Sequence, residues 1–106
     1  MVELPLHWTN DDWEQFAFTV DPPTGSGVIE TCEKALQLWK EEFEGMYHYN
    51  RAFILTMHPE VIGRPARLKM LEKLIDHIRS FDGVWLTTCG EIAAHHLANT
   101  EATAIA

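Results

Sequence analysis

Residues 53–96 read FILTMHPEVIGRPARLKMLEKLIDHIRSFDGVWLTTCGEIAAHH, and the order of elements in this stretch decides the fold. Together with Ala52, residues 52–57 form a short, almost wholly apolar run, the pattern of a strand covered on both faces in a parallel sheet. His58 and Pro59 end it. Pro65 suits a first helical turn, where its missing N–H costs nothing. Leu68, Leu71, Leu74 or Ile75, and Ile78 then recur as a stripe at helical spacing. Asp82-Gly83 breaks that helix, and residues 84–86 (VWL) make a second short strand. Thr88 and Glu91 have the S/T-x-x-E spacing of a capping box, which opens a third helix over 91–98.

Upstream, Val28, Cys32, Ala35 or Leu36, Trp39 and Phe43 recur every three or four positions between charged residues, predicting an amphipathic helix over 28–43 with Cys32 in its buried stripe. Gly45 is placed to form a left-handed cap near its end. Residues 1–27 are irregular, with DPPTGSG as turn chemistry, and read as a connecting segment with one short strand at most. Residues 28–98 thus run helix, strand, helix, strand, helix, and the Ala/Thr-rich tail at 99–106 is expected to fray. That order predicts an α/β fold, with parallel strands joined by right-handed crossovers. Two strands leave two raw sheet edges, so the architecture is expected to be incomplete as given and able to self-associate through those edges.

The 106 residues allow one domain. Sixteen acidic residues against eight basic give a net charge of −8, which repels phosphate backbones and anionic headgroups and argues against nucleic-acid or membrane partners. The net charge is confined to residues 1–50, which hold ten acids and two bases; residues 51–106 hold six of each. No apolar run approaches bilayer length, and the N-terminus has no signal-peptide pattern. Cys32 and Cys89 fit no CxxC spacing and read as reduced thiols. A soluble, cytoplasmic chain is the expectation.

Ligands of parallel α/β sheets gather beyond the carboxyl ends of the strands, and His58 lies at such an end. Pro59 restricts its backbone, so the imidazole is either a positioned proton donor or acceptor or a ring satisfied by a backbone carbonyl. Asp11-Asp12, followed by Trp13, can orient a catalytic group or a cation; an acidic pair of this kind can equally cap a helix or face water. Arg64 and Arg67 flank the start of a basic helix and read as a solvated face with one Arg docked on the sheet rim. The four tryptophans read as packing residues, with Trp8 and Trp13 able to wall a pocket. No histidine pair has i, i+4 spacing, and HExxH, CxxC, P-loop and nucleophile-elbow motifs are all missing, so the chain is expected to bind no metal by itself.

The stretch 53–96, with its apolar run ending in His-Pro, its IGRPARL turn into a helix and its GVW strand before an EIA helix, resembles the C-terminal end of the polysaccharide deacetylase (NodB-homology) family. The likeness is to the branch of peptidoglycan deacetylase-like and allantoinase-like enzymes. It implies the last βα units of a distorted (β/α) barrel and metal-dependent hydrolysis of non-peptide C–N bonds in N-acetyl sugars or related small amides. Leu55 to His58 matches the family's Leu-x-x-His motif, which makes His58 the general acid that protonates the departing amine. Asp12-Trp13 matches the end of the family's Asp-x-x-Asp-Trp motif, with Thr9 in place of its first Asp; Asp12 and Trp13, with Arg64, are implied on the substrate side. The family's metal aspartate, His-x-x-x-His pair and catalytic base belong to earlier motifs not found here. The resemblance therefore implies a C-terminal fragment, inactive alone, of an enzyme that uses a zinc-like divalent metal when complete.

Overall fold

The computed structural model describes the backbone of residues 1–20, 23–24 and 29–104, and the side chains of residues 1–18 and 29–100. It is built around two long helices. α2 (Cys32–His48) and α4 (Pro65–Arg79) pack against each other, burying Ala35, Trp39 and Phe43 of the first against Met70, Leu74 and Ile78 of the second. Each triplet repeats at i, i+4, i+8, so each helix contributes a single stripe. An aromatic cluster closes the far end: Phe81 lies edge-on to Phe43 and Tyr47 with centroids 5.1 and 5.0 Å away, and the Tyr47 hydroxyl donates to the Asp82 carbonyl at 2.8 Å.

The helix boundaries differ from the sequence expectations for local reasons. α2 starts later than residue 28, where the Thr31 hydroxyl accepts from the Lys34 amide, and it continues through Gly45. Its C-cap is Tyr49, and the left-handed residue after it is Asn50 at φ 54°, with the Arg51 amide reaching back to the Met46 carbonyl at 2.8 Å. α4 begins at Pro65 as expected; Leu74 and Ile78 of the expected stripe are buried and Leu71 packs against the core, while Met70 takes the place of Leu68, which with Ile75 is exposed. The capping box of α5 (Cys89–Ala104) forms, with Glu91 accepting from the Thr88 amide and the Thr88 hydroxyl accepting from the Glu91 amide, each at 3.2 Å; the backbone stays helical past Ala98.

The N-terminal segment is less irregular than its sequence suggests. It holds a 3-10 turn (Trp8–Asn10), the short helix α1 (Asp12–Phe16) and a minimal antiparallel pair, β1 (Thr19–Val20) with β2 (Pro23–Thr24). Most of the DPPTGSG turn lies outside the described residues. A further short helix, α3 (Pro59–Ile62), follows His58.

The expected parallel pairing of 52–57 with 84–86 is not present. Among the described residues neither segment carries a sheet ladder; the single parallel bridge joins Asp11 to Thr56, through the Thr56 amide to the Asn10 carbonyl (2.8 Å) and the Asp12 amide to the Thr56 carbonyl (3.1 Å). A strand needs a neighbour to hold its backbone groups, and here the two segments flank an open groove of about 700 Å³ bordered by Phe53, Val84 and Trp85. Trp8 (72% exposed) and Trp85 (56% exposed) are likewise outside the core, Trp85 meeting only the edge of His95 among aromatic partners of the described residues, whereas Trp39 is fully buried. No helix among the described residues is long and apolar enough to cross a membrane.

Candidate functional site

Asp11 and Asp12 are adjacent in sequence and part in function. Asp11 is the N-cap of α1, its carboxylate accepting from the Trp13 amide at 2.8 Å. This starts the helix at Asp12, whose side chain turns inward and is fully buried. Asp12 meets His58 there: one oxygen accepts from the His58 backbone amide at 2.8 Å, and the other lies 2.7 Å from His58 Nδ1. A buried carboxylate needs such partners to offset desolvation, and His58 supplies both.

His58 is held from its other side by α3. Its extended backbone makes it the N-cap, and its carbonyl accepts from the Val61 and Ile62 amides, both at 2.9 Å, while Pro59 occupies the first helical position. The backbone is thus fixed by Asp12 on the amide side and by α3 on the carbonyl side. The edge of the Trp13 ring system meets the imidazole with centroids 5.4 Å apart and planes at 61°. The His58 side chain remains 37% exposed, with Nδ1 engaged and no bond to Nε2 among the described residues.

The electrostatics follow from this geometry. The Nδ1 contact with Asp12 holds the His58 pKa above its ordinary 6.5; the negative charges of Asp12, Asp11 and Glu60 act in the same sense and outweigh partial desolvation. With the carboxylate on Nδ1, the neutral ring carries its proton there, and the imidazolium adds a second N–H at Nε2. An acid of this kind can release one proton outward from Nε2 while Asp12 stabilises the charged form.

Asp11, Asp12 and His58 bring ligand-type atoms within 4.8 Å of one another, a grouping of residues too far apart in sequence for motif spacing to reveal. They do not fit a resident cation. Both Asp12 oxygens are committed to His58 and an Asp11 oxygen to the Trp13 amide, so a metal would have to break the bonds that hold the acid in place. Of the residues singled out from sequence, Asp12, Trp13 and His58 come together. Arg64 lies apart on the exposed turn between α3 and α4, and its side chain makes no hydrogen bond or ion pair among the described residues.

No family model matches the chain. A peptidoglycan deacetylase of Helicobacter pylori is 35% identical over 95 residues, 88% of this chain and 32% of that protein. A Schizosaccharomyces pombe protein provisionally named polysaccharide deacetylase is 38% identical over 50 residues, 47% of this chain and 16% of its own length. The crystal structure of a provisionally named polysaccharide deacetylase from Mycobacterium smegmatis superposes with a TM-score of 0.85 at 39% identity, over 92% of this chain and 34% of that one. The chain therefore spans about a third of the length of the Helicobacter pylori and Mycobacterium smegmatis proteins.

Proposed function

We propose, for a chain that is a relative of the polysaccharide deacetylases, that it carries the proton-donating portion of a deacetylase active site and acts in the hydrolysis of N-acetyl sugars or related small amides. The single observation that carries this reading is the Asp12–His58 pair: a half-exposed imidazole whose Nδ1 and backbone amide are both fixed by one buried carboxylate.

In this role His58 protonates the leaving amine nitrogen from Nε2 as the C–N bond breaks. Its raised pKa increases the share of the acid form relative to an ordinary histidine. Asp12 orients the ring and stabilises the imidazolium; Trp13 walls one side of it, and Arg64 is the substrate-side cation. In a complete enzyme a bound divalent ion would supply Lewis-acid chemistry at the scissile carbonyl. The family's metal motifs are not found in this sequence, and on this reading the chain does not turn over substrate alone. The half-exposed run at 52–57 and the exposed Trp85 and Leu86 support its being the closing βα units of a distorted (β/α) barrel. The free thiols of Cys32 and Cys89 are consistent with the cytoplasm.

The test is a chimera in which this chain replaces the matching stretch of the Helicobacter pylori protein, assayed for acetate release from an N-acetylglucosamine glycan. Activity that disappears with His58→Ala, in a chimera of unchanged thermal stability, is the expected result. Equal activity of the folded His58→Ala chimera refutes the assignment. The exposure of Leu6, Trp8, Trp85, Leu86 and Leu97 favours a second reading, a self-associating module without catalysis. Discrete oligomers in sedimentation together with an inactive, folded chimera select it.

A further inference from the structure

We infer that Arg67 is a positioning residue for His58: its guanidinium joins α1 to α3 and thereby holds Asp12 and His58 at their hydrogen-bonding distance. Its functional meaning rests on the reading of His58 as proton donor, but the clamp itself stands on the contacts.

The two elements that carry the pair are too short to hold themselves. α1 has five residues and α3 four, below the length at which a helix is stable in isolation. α4 is the nearby anchored element, fixed to α2 through Met70, Leu74 and Ile78, and Arg67 rises from its first turn. One guanidinium nitrogen donates to the Val61 carbonyl at 2.7 Å, satisfying an acceptor that the end of α3 leaves without an intrahelical partner. The guanidinium carbon lies 4.5 Å from the centroid of the Phe16 ring, which is itself buried edge-on against Trp39.

Val61 is in the turn whose first carbonyl belongs to His58. Phe16 is one helical turn beyond Asp12, on the same face of α1. Arg67 therefore touches both partners' helices at the ends away from the pair, and fixes the angle between them. The planar fork is what permits this, because it can stack on a ring and donate in its own plane at once; an ammonium offers a point charge instead. Gly63 makes the placement possible. A Cβ there would meet the Pro59 carbonyl oxygen at 2.3 Å, so the α3–α4 turn closes tightly enough to bring Arg67 over Phe16.

The test is histidine-resolved NMR titration of the whole chain with Arg67, Arg67→Lys and Arg67→Met. The charged groups facing His58 are Asp12, Asp11 and Glu60, all unchanged in these variants. Loss of the clamp is expected to lower the His58 pKa toward 6.5 and to abolish the slowly exchanging Nδ1–H signal in Arg67→Met, with Arg67→Lys intermediate. Removing a nearby cation by charge alone moves a histidine upward, so the two effects have opposite sign. His77, bonded to Glu44 at 2.9 Å between α2 and α4, serves as the internal control and is expected not to move. A folded Arg67→Met protein whose His58 titration is unchanged or raised, or in which His58 and His77 shift together, overturns the clamp. If Arg67→Met does not fold, Phe16→Leu removes the stacking surface and is expected to shift His58 downward alone; no shift is again a refutation. An active chimera whose His58 ignores Arg67 defeats the clamp and leaves the proposed function standing. An inactive chimera with the expected shift does the reverse.

Discussion

Trp39→Phe tests how the core supports the site. Trp39 is fully buried in the α2–α4 interface, Phe16 of α1 packs edge-on to it with planes at 84°, and its indole N–H donates to the Thr9 carbonyl at 3.0 Å. Phenylalanine keeps an aromatic ring and removes the donor, leaving the Thr9 carbonyl short of a partner at a cost of about 1–3 kcal/mol. The smaller ring also leaves roughly 40 Å³ unfilled, which at about 24 cal/mol per Å³ adds about 1 kcal/mol. The sum is about 2–4 kcal/mol, a large share of the roughly 5–15 kcal/mol typical of a domain this size. Urea unfolding followed by circular dichroism measures it as a fall in midpoint at constant slope. Trp8→Phe is the matched control, since that indole is 72% exposed, and is expected to stay within about 0.5 kcal/mol of the parent. Equal effects at positions 8 and 39, or a Trp39 effect under about 0.5 kcal/mol, refute the assignment of Trp39 as the hydrogen-bonded centre of the core.

Two further outcomes are expected. Because the folded pKa of His58 is raised above its unfolded value, its contribution to stability is fully present below pH 6.5 and is lost as pH rises through the folded pKa. Urea midpoints at pH 5.5 and 8.5 should therefore converge in Asp12→Asn and His58→Gln relative to the parent chain; an unchanged pH difference in both variants contradicts the pairing. Gly63→Ala forces a methyl group into the Pro59 carbonyl and is expected to destabilise by about 1–3 kcal/mol, read as a lower urea midpoint; a neutral substitution shows that the turn has slack.

The features legible in the sequence were those that depend on neighbours along the chain. Pro65 marks the first turn of α4, and Thr88 with Glu91 starts α5, because N-terminal signals act over three or four residues. The stripe of α4 is legible in part: Leu74 and Ile78 are buried as the spacing predicts, but Leu68 and Met70 are both compatible with helical periodicity, and only the position of α2 decides between them. α1 and α3 are too short for any periodicity to appear. Strand formation depends on a partner more than on the run itself, so the apolar segments at 52–57 and 84–86 did not specify a sheet. For the site, position at the end of an apolar run marked His58, and the resemblance placed Asp12-Trp13 alongside it. Their direct contact spans 46 residues of chain and has no local signature. For Arg64 and Arg67 the sequence predicts a solvated face with one docked Arg, but not that Arg67 lies over the Phe16 ring, since that contact spans 51 residues of chain.

The division of labour between Asp11 and Asp12 has a consequence for how reactivity arises as the chain folds. The cap that nucleates α1 is also what swings the next carboxylate inward, so the protein acquires its unusual imidazole only when that single turn of helix closes. Before that moment position 58 holds an ordinary histidine titrating in water. Afterwards the ring's basicity and orientation are inherited from a carboxylate 46 residues earlier in the chain, so both are expected to depend together on one five-residue helix.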